Sequence, residues 1–176
     1  YTMQIGSAGL YVSNNGLADH ISLSSTRTEF SDADLWYRVG NDTEGYTIYN
    51  KEAGTQKVLA APTKMSDSYR ETSDPIMVDK DNIPSGYTDK WLFAQSTNLG
   101  NDVEAYYMYE KGYENNKVNN RNGKFAFWSN GADAGSSIQW KWAQRTFAVN
   151  MESGTCTSTK PNGTWAQIWT SKATEP

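Results

Sequence analysis

The sequence predicts an all-β fold, and three observations predict it. Apolar residues come in runs of four to six, separated by Gly, Asn, Asp, Ser and Pro, with no long helical periodicity. The composition is aromatic-rich, with 7 Trp and 11 Tyr in 176 residues, beside low mean hydropathy. That palette suits half-buried sheets and faces that contact polar ligands. One order of segments also recurs three times, so the chain reads as three units of four strands. Such a chain must protect its strand edges, and a pseudo-threefold barrel is the economical closure.

In the first unit, Tyr1-Thr2-Met3-Gln4-Ile5 alternates in period two, as a strand with one buried face does. Gly6-Ser7-Ala8-Gly9 turns the chain into Leu10-Tyr11-Val12. Asn14-Asn15-Gly16 ends that strand with a pair that favours a tight turn of positive φ. His20-Ile21-Ser22-Leu23-Ser24 and Leu35-Trp36-Tyr37-Arg38-Val39 complete the unit. The second unit repeats this order with Tyr46–Asn50, Lys57–Leu59, Pro75–Asp79 and Lys90–Gln95. A polar insertion from about Pro62 to Asp74, containing Tyr69 and Arg70, lengthens it. The third runs through Tyr106–Glu110, Lys117–Asn120, Lys124–Trp128 and Gln139–Gln144. The repeats are expected at about 1–45, 46–105 and 106–145. Residues 146–176, with strand-like Phe147–Asn150 and Trp165–Trp169, are expected to be a C-terminal extension or the truncated start of a following domain.

Composition narrows the function. The formal net charge is -4, from 16 basic and 20 acidic residues, which argues against nucleic acid as partner. No apolar run approaches the ~18 residues that span a bilayer, so no membrane insertion is expected. The chain opens directly on a strand at Tyr1, as an excised piece or a mature chain would. The lone Cys156 excludes an intrachain disulfide and gives no zinc spacing. The single His20 leaves no Ser/His/Asp set to assemble. Asp79-Lys80-Asp81-Asn82 begins like a calcium loop but lacks the remaining ligands. No catalytic residue, metal or cofactor is therefore expected, and the chain is read as not an enzyme. Carboxylate pairs for glycoside hydrolysis are defined by spatial separation and stay open at this stage.

The strongest candidate for chemistry is Phe125-Ala126-Phe127-Trp128. Phe125 and Phe127 share one strand face, and Trp128 falls on the other. Neutral sugars pack the C–H face of a ring on a flat aromatic and pair their hydroxyls with donors and acceptors. Trp128 with Asn119, Asn120, Asn122 and Asn130 offers that set. The structural alternative is that Trp128 covers a barrel rim and the asparagines make turns. Asn14, Asn15, Asp19 and His20 form a second group, better read as a hairpin turn and a strand start. Tyr69 and Arg70 read as a loop. Trp36, Trp91 and Trp140 are expected to be core or barrel-base residues.

Three segments end the repeats: Asp34-Leu35-Trp36, Asp89-Lys90-Trp91 and Ile138-Gln139-Trp140. Over about residues 1–145 this pattern resembles the β-trefoils of the ricin B-type lectins, which often carry Gln-x-Trp here; this chain replaces the Gln in all three. The resemblance implies a β-trefoil in which an aromatic residue on the third strand of a repeat stacks on sugar. Trp128 would be that platform; Ser24 and Asp79 stand at the matching places in the other units. It further implies non-catalytic binding of an oligo- or polysaccharide by an ancillary domain of a secreted or cell-surface glycan-degrading protein. Such a module would be extracellular or on the cell surface, tethered to a catalytic domain in a longer chain. The alternative is a structural or protein-interaction trefoil without a sugar site.

Overall fold

A computed structural model describes residues 1–15, 21–25, 29–63, 74–129 and 132–143, with the backbone of two short strands beyond them. Asp19, His20, Tyr69, Arg70, Asn130 and the Trp165–Trp169 segment lie outside the described residues. The chain divides into two compact units, Tyr1–Trp142 and Ala143–Pro176.

The first unit is built almost wholly of antiparallel strands. Its first stretch gives β1 (Thr2–Ile5), β2 (Leu10–Asn14), β3 (Ile21–Ser24) and β4 (Trp36–Asn41). Then come β5 (Gly45–Asn50), β6 (Lys57–Pro62), β7 (Ile76–Asp79), β8 (Tyr87–Thr88) and β9 (Trp91–Ser96). The last are β10 (Ala105–Glu110), β11 (Asn116–Arg121), β12 (Lys124–Ser129) and β13 (Ile138–Lys141). In the second unit, β14 (Ala148–Asn150) pairs antiparallel with β15 (Thr155–Thr157).

Six strands follow one another in the order β1-β13-β10-β9-β5-β4. The ring closes where Trp36 N donates to Tyr1 O at 2.7 Å and Tyr1 N donates to Trp36 O at 3.0 Å. Three hairpins, β2–β3, β6–β7 and β11–β12, stand off this ring. Each repeat thus contributes two ring strands and one hairpin. The second repeat adds β8, which pairs with the end of β6. Closure removes the free edges that the ring strands would otherwise expose. The β4–β5 turn depends on Gly40, whose φ is +141° and where a Cβ would run into the Gly45 carbonyl.

The core follows the repeat. Met3, Ile48 and Met108 come from the first strand of each repeat and are fully buried. Trp36, Trp91 and Ile138 come from the last, and none is more than 1% exposed. The Trp36 indole donates to Val12 O at 2.7 Å, and that of Trp91 to Leu59 O at 2.8 Å. Each bond satisfies a buried N–H and ties a ring strand to its own hairpin.

The third repeat departs from the sequence expectation. Tyr46 pairs with Trp91, and Tyr106 pairs with Ile138. Ile138, not Trp140, therefore holds the repeat-ending position. The expectation aligned tryptophan with tryptophan, whereas the strand register sets the position, and Trp140 lies two residues farther along on the same face. The lost volume is met from the hairpin. Phe125 and Phe127 are buried there, and Phe127 stacks on Trp91 at 6.0 Å with planes 7° apart. A close-packed interior tolerates such exchanges best where a smaller side chain on one element is matched by larger ones on its neighbour.

Candidate functional site

The β11–β12 hairpin presents Trp128. Its two-residue turn, Asn122-Gly123, has φ of +51° and +80°, and Arg121 faces Lys124 across it. Positive φ at both turn residues matches the right-handed twist of the flanking strands. The register this sets pairs Val118 with Phe127 and Asn120 with Phe125 on the inner face. Lys117 with Trp128, and Asn119 with Ala126, share the outer one. Trp128 is 37% exposed, and the Arg121 guanidinium lies 4.8 Å from its ring centre. A cation over an indole face holds the ring in one orientation.

The asparagines divide. Asn119 is buried, and its Nδ2 donates to Ser136 Oγ at 2.8 Å and to Asp133 Oδ1 at 3.1 Å. Ser136 ends the 3-10 turn Ala134–Ser136 and Asp133 caps its start, and this turn folds over this part of the hairpin. Gly135 passes so close that a Cβ on it would lie 3.0 Å from Asn119 Nδ2. The first repeat makes the same link with other atoms: Ser13 on β2 hydrogen-bonds Asp34 of the 3-10 turn Asp32–Asp34. Asn119 is therefore a connection between hairpin and turn. Asn120 points to the inner face, and its Oδ1 is buried with no hydrogen-bond partner. Asn122 is exposed in the turn. Around Trp128 the outer face carries donors, Lys117, Arg121 and Lys124, where the sequence suggested amides.

Asn14 Nδ2 donates to Glu52 Oε2 at 2.8 Å. Asp79 ends β7, and Asn82 N donates to Asp79 O at 3.1 Å, closing a turn. Among the described residues no group of three or more carboxylates, histidines or cysteines comes together to hold a metal. No helix among them is long and apolar enough to cross a membrane. Cys156 belongs to β15, and its side chain lies outside the described residues.

A titratable group that sequence reasoning passed over is Glu110. It occupies the place that Asn50 holds one repeat earlier; Asn50 pairs with Trp36 and Glu110 with Trp91. Asn50 spends its amide on the local turn, donating to Ala33 O and Leu35 O and accepting from Glu52 N and Ala53 N. Glu110 is 2% exposed, and burial pushes its carboxyl up to about 7.

A second aromatic surface lies at the open end of the ring. Arg38, Phe93 and Trp140 hold the same place in the three repeats, opposite Ile48, Met108 and Met3. The Arg38 guanidinium lies 4.6 Å from the Phe93 ring centre, 4.9 Å from Tyr46 and 5.4 Å from Trp140. Beside it is a cleft of about 380 Å³ lined by Tyr1, Tyr37, Arg38, Glu104, Tyr106, Trp140 and Trp142. Tyr1 packs on Trp142 at 4.5 Å, and Trp142 is 78% exposed. The Tyr106 hydroxyl donates to Glu104 Oε1 at 2.8 Å, and that bond with burial raises its pKa. These residues are scattered over the sequence from 1 to 142, and only ring closure brings them together.

No protein-family model matches the sequence, and no curated protein matches it. Among solved structures the fold is similar to the GlcNAcα1-4Gal releasing endo-β-galactosidase from Clostridium perfringens, with a TM-score of 0.57 at 12% sequence identity. The match covers 79% of this chain and 31% of that one, so the chain spans about a third of its neighbour's length. At that identity the likeness is one of fold.

Proposed function

We propose that residues 1–142 form a β-trefoil that binds glycan by equilibrium association without turnover, as an ancillary module of a larger secreted or cell-surface protein. The observation that carries the reading is Trp128: a large indole facing water on the outside of a hairpin whose other face is packed with Phe125 and Phe127. Such a ring offers a flat apolar platform to the C–H face of a pyranose. Cationic side chains flank it: Arg121 lies against the ring, Lys124 is exposed on the same face, and Lys117 Nζ donates to Glu114 O at 3.0 Å. The ring of six strands with three hairpins supports the trefoil assignment, and the structural neighbour is itself named for releasing a glycan. A shared fold alone does not choose a function, so the site carries the proposal.

Isothermal titration with soluble neutral and acidic oligosaccharides tests it. Binding is expected to be weak per site, because shallow polar sites retain little net free energy after desolvation. Trp128→Ala is expected to lower affinity at least tenfold with the fold intact. No heat with any glycan, or unchanged affinity in the variant, would overturn the reading.

A further inference from the structure

We infer that the cleft at the open end of the strand ring is a second saccharide site, one that takes a neutral pyranose. The ligand class rests on the glycan-binding reading; the geometry of the cleft stands apart from it. Its volume of about 380 Å³ lies within the range of small-molecule sites, roughly 300–1,000 Å³. Trp142, 78% exposed, and Tyr1, 43% exposed, are packed on one another and form an apolar wall against solvent. Structural packing does not require an indole to stand that far into water. A pyranose laid on this wall would cover the exposed ring surface.

The polar groups specify the rest. The Arg38 guanidinium sits among the rings of Phe93, Tyr46 and Trp140. A guanidinium surrounded by three rings is held in position, and its five N–H donors outnumber what ring contacts use. Among the described residues, no acceptor pairs with it. Glu104 lines the same cleft as an acceptor, oriented by the Tyr106 hydroxyl. Trp140 lines the cleft, and its Nε1 is buried without a hydrogen-bond partner. One cation and one carboxylate together favour a ligand without net charge, whose hydroxyls both donate and accept. A carboxylated or sulfated ring would meet Arg38 favourably but face repulsion from Glu104.

The test uses the full chain and follows the indole N–H signals of Trp140, Trp142 and Trp128 by NMR. The probes are lactose, cellobiose and maltose, with a digalacturonate as the acidic control. A neutral disaccharide is expected to shift the Trp140 and Trp142 signals. Trp142→Ala should weaken that response at least tenfold, and Glu104→Gln about threefold to tenfold. Trp128→Ala should leave it unchanged. Both cleft residues are exposed, so thermal melts of these variants should match the parent. If only Trp128 responds, the second site is refuted while the glycan-binding reading survives. If no indole responds to any sugar, both fall. If the acidic control alone shifts the cleft signals, the neutral assignment is wrong.

Discussion

The first and third repeats make the same connections with different atoms. Ser13 reaches Asp34 in one; Asn119 reaches Ser136 and Asp133 in the other. Trp36 fills the ring in the first, while Ile138 does so in the third, with Phe125 and Phe127 buried in the same core. The strand pairing is kept by complementary partners, and residue identity is free to drift wherever the partner drifts with it. The comparison separates structural from available groups. An amide with a counterpart in another repeat is a connector. The exposed indole at 128, opposite Lys117, stands on a hairpin whose counterparts carry no tryptophan, and it is the group on which the proposed binding rests.

The largest test of this equivalence lies in the core. Trp91→Ala should cost about 3–5 kcal/mol, and Ile138→Ala a smaller loss nearer 2–3 kcal/mol, both read from urea unfolding. If Ile138→Ala were nearly neutral, Ile138 would not be the third-repeat counterpart of Trp91.

Glu110 against Asn50 gives the next effect. The folded state holds the Glu110 proton up to about pH 7, whereas the ordinary carboxyl value is 4.5. The folded protein therefore binds more protons than the unfolded chain between these values, and stability falls as pH rises through that window. Glu110→Gln should remove this penalty. It is expected to be more stable than the parent by about 2 kcal/mol at alkaline pH. The advantage should shrink toward zero near the ordinary carboxyl value. Parallel melts of parent and variant across this pH range check it; an equal pH slope in both would break the assignment.

The smallest effect concerns Asn119. Asn119→Ala should cost about 1 kcal/mol, since Asp133 Oδ1 keeps its bond from Ser136 N at 3.0 Å. Glycan affinity per folded molecule should not change. A loss of affinity at unchanged stability would instead return Asn119 to the binding face.

Much of the fold was legible in the sequence because period-two alternation and repeated segment order survive drift in identity. Phe125 and Phe127 inside with Trp128 outside followed from spacing alone. The third repeat-ending residue did not, because a tryptophan two positions downstream imitated it and only the pairing of Tyr106 with Ile138 reveals the register. The partners of Asn119 were not legible for a related reason. Alternation does put Asn119 on the outer face, but the 3-10 turn that covers it arrives from residues 134–136. The aromatic cleft left no local signal, since Arg38, Phe93 and Trp140 meet only through closure of the ring.

The Asn122-Gly123 turn has a consequence of its own. A strand's faces exchange with every one-residue slip. Deleting or inserting one residue at the tip would drive the indole of Trp128 toward the packed interior and turn Phe127 out to water. This loop therefore acts as a polarity setting for the whole hairpin, and a change in its length would alter the hairpin's two faces more than any substitution on its surface.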